Sequence, residues 1–230
     1  MSVETKEIAG RRVIEKRLDP RLREDAIARA RMRAEGVWLE RLASSGVVPR
    51  LVAHGEDSDG PFVVTEMFPF ATLADRGAWP IDPLRAFAAL AHIHEAGVVH
   101  ADLSPANLAV TNEGEVVFLD FGLAVAIGSP TDRDGAFVGT VGYAAPEVAR
   151  GEDPTTASDL FSLAACLLFA STGHAPRHAT TLAAAIVEAA ETPIVPPPDF
   201  PAIVAACLGP VPASRPGSAR SVIAVLERRT

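Results

Sequence analysis

Residues 98–122, VVHADLSPANLAVTNEGEVVFLDFG, constrain this chain more than any other stretch. The apolar run at 116–119 reads as a buried strand, and N-E-G at 112–114 carries turn chemistry that folds one arm back on the other. Asp102 and Asn107 are then expected on the first arm and Asp120 at the end of the second. Three oxygen-bearing side chains meet at one edge. Hard oxygen ligands on a rigid hairpin suit Mg²⁺, which keeps several waters and shares itself with substrate phosphates. Taken singly, an Asp or Asn near a turn usually caps or turns the backbone, and a lone D-F-G arises by chance. D-x4-N followed after twelve residues by D-F-G is much harder to obtain that way.

The bulk composition narrows the classes. A chain of 230 residues can bury a sizeable core, and 48% apolar with 22% charged residues is globular rather than disordered. No apolar run reaches the roughly 18 residues of a membrane span; the longest, at 160–172, reads as a buried helix. The polar opening MSVETKEIAGRR carries no secretory signal. Cys166 and Cys207 lie in apolar surroundings with neither metal spacing nor a disulfide framework, which fits a reducing cytoplasm. A net charge of −8 argues against non-specific binding to nucleic acid. Abundant Ala, Arg and Pro fit a GC-rich bacterial genome.

The D-x4-N and D-F-G spacing resembles the catalytic loop and metal-binding triplet of eukaryotic-type serine/threonine protein kinases. Other landmarks follow in the same order. Residues 3–8 and 12–18 read as two strands turning at Gly10, with Lys16 in V-I-E-K-R. A strand lysine is most often a solvated charge. Here an amphipathic helix over 21–44 follows and carries Glu35, 19 residues on, with Leu39 and Leu42 at helical spacing. The family pairs such a lysine and glutamate so that the lysine grips the α- and β-phosphates of ATP. Strands at 50–55 and 61–67, joined by E-D-S-D-G, lead to a segment where the resemblance puts Thr65 at the gatekeeper position. Glu66 to Phe68 would form the hinge whose backbone meets adenine. A helix over 83–96 has Asp82 as N-cap, Pro83 at its first position and Gly97 at its end. His92 and His94, two apart on that helix, do not share a face and give no metal site. G-T-V-G-Y-A-A-P-E at 139–147 resembles the end of the kinase activation segment. Asp159 opens an apolar helix like the one that anchors the catalytic loop, and Arg215 resembles the structural arginine that pairs with Glu147. Residues 193–201 read as a stiff extended connector, and 219–228 as a short closing helix.

The resemblance covers residues 12–228. It implies an α+β, two-lobed fold in a single domain 1–230: a reduced β-rich lobe over 1–68 with the Glu35 helix, and a mainly helical lobe over 69–230. It implies ATP and Mg²⁺, a Ser/Thr hydroxyl of a protein as acceptor, Asp102 as catalytic base, and Asn107 and Asp120 on the metal. Four departures qualify this. Only fifteen residues with one glycine precede Lys16, so either the lobe lacks its first strand and glycine-rich loop or the start is misplaced. Ser104 stands where a lysine would stabilise the γ-phosphoryl, and Ala101 replaces the arginine that receives a phosphorylated activation loop, leaving Ser129 and Thr131 without their main receptor. Ile14 above the adenine and Ala109 below it exchange large for small, which conserves the volume of the slot. A reading of another class, a nucleotide-responsive pseudokinase scaffold, draws on the same departures. A small atypical tRNA-modification or sugar kinase has fainter support in K-R-L-D-P-R-L-R and H-A-D-L. The unpaired sheet edge left by a missing first strand could recruit a second copy.

Overall fold

A computed structural model describes residues 2–8, 10–67, 71–131 and 137–229. The two N-terminal strands form as expected: β1 (Ser2–Ile8) and β2 (Arg11–Arg17) make an antiparallel hairpin in which Lys16 stands opposite Val3. The helix that follows starts later than the apolar spacing suggested. Pro20–Leu22 forms only a single 3-10 turn, and Asp25 caps α1 (Ala26–Arg41) by accepting the Ala28 N–H. An aspartate side chain that takes an otherwise orphan donor fixes the start there. Strands β3 (Leu51–Asp57) and β4 (Gly60–Glu66) complete a sheet of order β1-β2-β4-β3. Glu56 and Asp57, read from sequence as part of the turn, belong to the ladder, and the turn narrows to Ser58 and Asp59.

The remainder is mainly helical. The short elements β5 (Ala71–Thr72) and α2 (Leu73–Arg76) lead to α3 (Pro83–Glu95), capped by Asp82 as expected and closed at Gly97 with φ +77°. Four short strands follow: β6 (Val98–Val99), β7 (Leu108–Val110), β8 (Val116–Phe118) and β9 (Val125–Ala126). β7 and β8 are the foreseen hairpin, with Gly114 N–H donating to the Thr111 carbonyl at its turn. Its first arm is shorter than expected. Asp102 and Asn107 lie in the loop before β7, and Asp120 lies two residues beyond β8.

After α4 (Pro146–Ala149) comes α5 (Thr156–Thr172), which Asp159 does not open. Thr155 and Ser158 cap it reciprocally, so Asp159 falls within its first turn. Every residue of α5 from 158 to 168 is buried, as an all-round apolar helix requires. The helices α6 (Leu182–Glu191) and α7 (Ala202–Cys207) had no clear sequence signal; α8 (Ala219–Leu226) closes the core. Phe87, Leu90, Ile93, Phe118, Phe121, Leu160 and Phe161 form the centre of that core, with Cys166 and Cys207 buried as free thiols.

Candidate active site

The site is assembled from four segments far apart in sequence. β2 supplies Lys16, whose Nζ donates to Glu35 Oε1 and Oε2 (2.9 and 2.7 Å) and to Asp120 Oδ1 (2.9 Å). α1 brings Glu35 within reach because it packs closely on β3. A Cβ on Gly36 would lie 2.4 Å from His54 Nδ1. Trp38, one turn on, donates its indole N–H to the Ala124 carbonyl (3.0 Å) and so fastens α1 to the segment after Asp120. Trp38 was not singled out from sequence, since its partner is 86 residues away.

A clamp from α5 holds the Asp102 loop. Both oxygens of the buried Asp159 accept backbone N–H groups, from His100 (2.8 Å) and Ala101 (3.0 Å), while His94 Nε2 donates to Oδ2 (3.0 Å). His94 therefore serves as a loop anchor. Ala101 is held at φ +67° and Asp120 at +60°, a region costly for non-glycine residues. His100, fully buried beside Phe121, donates Nε2–H to the Leu119 carbonyl (3.0 Å) and offers Nδ1 to the Asp102 N–H (3.4 Å). Asn107 Nδ2 donates to the Asp102 carbonyl (2.9 Å) and to Asp102 Oδ2 (3.2 Å), and Leu119 N–H donates to the Asn107 carbonyl (2.9 Å). Asp102 Oδ1 accepts the Thr140 N–H (2.8 Å), bringing the G-T segment over the same carboxylate.

Lys16, Glu35, Asn107, Asp120, Ile14, Thr65 and Glu66 all line one cleft of about 300 Å³. Val3, Ala106 and Leu119 line it too, without having been anticipated. Ala109, expected at its floor, is fully buried in the small sheet opposite Thr72 and Val117 and is not among the lining residues. Its neighbours Leu108 and Val110, on the opposite face of the strand, are the ones that join the hydrophobic core. Residues 66–68 are the segment expected to meet adenine through backbone groups, and two of their N–H groups have partners within the protein. Glu66 N–H donates to the Arg50 carbonyl (2.9 Å) and Met67 N–H to the Arg12 carbonyl (3.0 Å), so both are occupied. Phe68, and with it the boundary drawn at 68, lies outside the described residues.

Burial and charge pull against each other here. Burial lowers the Lys16 ammonium, but Glu35 and Asp120 outweigh it and hold the group above its usual range. Burial raises the Glu35 carboxyl against the pull of Lys16. Asp120 is only partly buried, which raises it, and Lys16 beside it outweighs this and keeps it low. Asp102 is pushed up by burial, against the Thr140 hydrogen bonds. Among the described residues, no hydrogen bond uses the Asn107 amide oxygen or Asp120 Oδ2. Those two oxygens fit Mg²⁺, which takes one or two protein ligands and completes its shell with water and phosphate. No group of three His, Cys, Asp or Glu among the described residues forms a self-sufficient metal site.

Beyond the cleft, Arg215 and Glu147 make the expected pair, at 2.7 and 2.8 Å, almost completely buried. Arg177, which sequence reasoning missed, is buried against the carbonyls of Val141, Gly142 and Ala144 (3.3, 3.4 and 2.7 Å). It braces the segment that carries Thr140; burial lowers its guanidinium to about 10.

A lysine tied to a helix glutamate, a loop aspartate with its asparagine, and a D-F-G aspartate around one cleft define a phosphotransferase-type centre. Comparison with known proteins agrees: residues 4–224 match the protein kinase domain family, and the chain belongs to it. It is 36% identical over 181 residues to serine/threonine-protein kinase AfsK of Streptomyces griseus, covering 74% of this chain and 22% of that protein. It is 30% identical over 211 residues to probable serine/threonine-protein kinase PknB of Corynebacterium glutamicum, covering 85% and 33%. With probable serine/threonine-protein kinase PkwA of Thermomonospora curvata the figures are 32% over 202 residues, 84% and 26%. The chain thus spans a fifth to a third of the length of these relatives.

Proposed function

We propose that this chain is a single catalytic unit that transfers the γ-phosphoryl group of ATP to a serine or threonine hydroxyl of a protein, with Mg²⁺. The observation that carries the reading is Lys16 bridging Glu35 and Asp120 in the cleft that Asn107 also lines. Lys16, held by two carboxylates, places the α- and β-phosphates. Asn107 and Asp120 offer their free oxygens to Mg²⁺, which would neutralise phosphate charge. Asp102 orients the acceptor hydroxyl and takes its proton as that oxygen bonds to the γ-phosphorus and the β–γ bridging bond breaks, with ADP leaving. Positioning, rather than covalent chemistry by the protein, supplies most of the acceleration.

The names of the relatives favour a protein acceptor. No helix among the described residues is long and apolar enough to cross a membrane. Together with two buried free thiols, this supports a cytoplasmic reaction. The outer edge of β1 has no strand partner among the described residues, so a second copy is a further candidate partner; a monomer mass by light scattering at high concentration removes it.

Thermal melting with and without Mg²⁺ and ATP tests the nucleotide site. The expected result is a rise in midpoint that requires Mg²⁺ and disappears in Asp120→Ala. Transfer of labelled phosphate, abolished in Asp102→Ala, then tests the reaction. A shift without transfer would favour the scaffold reading, and no shift would remove the nucleotide site.

A further inference from the structure

A second cavity, of about 260 Å³, opens between α1 and the segment following Asp120. Arg31 and Glu35 line it from α1, and Asp102, Asp120 and Gly122 line it from the other side. It therefore adjoins both the nucleotide cleft and the carboxylate proposed to meet the acceptor. Arg31 is the only cation on its wall among the described residues.

Arg31 also differs from its neighbours. Five arginines lie between residues 21 and 33. Arg21 pairs with Asp19, Arg23 with Asp59, and Arg29 and Arg33 with Glu56. Arg31, exposed one turn before Glu35, takes part in no side-chain hydrogen bond or ion pair among the described residues. It shares the cavity wall with three carboxylates, those of Glu35, Asp102 and Asp120.

The charge balance of the site gives this cation a task. In transfer, negative charge spreads over the three equatorial oxygens of the moving phosphoryl group. Lys16 is already committed to Glu35 and Asp120. Position 104, two residues after Asp102, holds a serine whose buried hydroxyl has no hydrogen-bond partner. The loop over 100–107 that carries Asp102 contains no lysine or arginine. We propose that Arg31 fills this role, reaching the group in transit from α1 across the cavity. A planar guanidinium suits the task, since it donates two parallel N–H bonds to a pair of phosphoryl oxygens. Arg31 exchanges no atoms. The acceptor proton goes to Asp102, and the leaving group remains ADP.

This inference rests on the phosphotransfer reading, and one assay separates their failures. Labelled ATP, Mg²⁺ and dephosphorylated casein are supplied to the wild-type chain and to Arg31→Ala, Arg31→Lys and Arg33→Ala. Arg33 is the control, on the same helix but paired with Glu56. The expected result for Arg31→Ala is a loss of about ten- to a hundredfold in kcat. KM for ATP should stay within about twofold, the signature of an interaction made only in the transition state. Arg31→Lys should fall between Arg31→Ala and wild type, and Arg33→Ala should stay close to wild type. Unchanged kcat in Arg31→Ala overturns the proposal, as does an equal loss in Arg33→Ala. A rise in casein KM with kcat preserved would also overturn it, by making Arg31 an acceptor-binding residue. If the wild type labels neither casein nor itself, the phosphotransfer reading falls, and the role of Arg31 with it.

Discussion

At the scale of single residues, the site depends on opposed charges that are each costly alone. Lys16 and Glu35 side chains are 14% and 7% exposed, so either without the other is a poorly solvated charge. Lys16→Met and Glu35→Gln should therefore be non-additive. A double-mutant cycle by urea denaturation is expected to give a coupling of about 1–3 kcal/mol; additive effects would mean that the pair is not coupled. The two aspartates predict a pH effect. Asp102 is raised by burial, and as a base it must be deprotonated. Activity should therefore fall as pH drops through a value above the ordinary aspartate range. Asp120 is shifted the other way by Lys16 and stays ionised through the same interval. The acid limb should thus appear in kcat while KM for Mg²⁺ and ATP holds. A parallel rise in that KM would assign the limb to the metal site instead.

At the scale of elements, the placement of α1 decides whether Glu35 meets Lys16. Gly36 permits this placement, because any side chain there enters the space of His54. Gly36→Ala is expected to cost about 1–3 kcal/mol by overpacking and to weaken nucleotide binding as α1 moves away. His54→Ala in the same chain should restore both, and failure to do so would mean that the contact is not what sets the helix. The elements that sequence conveyed well are those fixed locally: the β7–β8 turn at N-E-G, Asp82 and Pro83 at the start of α3, and the two strands turning at Gly10. The residue types at Lys16, Glu35, Asp102, Asn107 and Asp120 were legible because their spacing is itself the signal. What stayed hidden depends on contacts between distant segments. Nothing near Met67 shows that its N–H is taken by Arg12, and nothing near Trp38 points to Ala124. The start of α1 was misjudged for a local reason, since Asp19 and Asp25 both have cap chemistry and apolar spacing does not choose between them.

At the scale of the whole molecule, the buried pair of Glu147 and Arg215 joins the end of the Thr140 segment to the C-terminal helices. Arg215 also donates to the carbonyls of Gly209 and Ala157 (2.8 and 2.9 Å) and lies over the Phe161 ring. Arg215→Ala strands the Glu147 carboxylate without its cation, at an expected cost of about 3–5 kcal/mol. That is a large part of the roughly 5–15 kcal/mol that holds a typical domain folded. Arg215→Lys should recover little of it, because an ammonium cannot reproduce the two-pronged bond to the carboxylate. The functional consequence follows from connectivity. Glu147 lies seven residues after Thr140, whose N–H holds Asp102, while Lys16, Glu35 and Asp120 are joined through α1 and β2. Below the lowered melting point, Arg215→Ala should still gain stability from Mg²⁺ and ATP but lose most of its phosphate transfer. If the nucleotide shift and the transfer decline together, the two halves of the site are one cooperative unit, and the segment from Thr140 to Glu147 does not act on Asp102 alone.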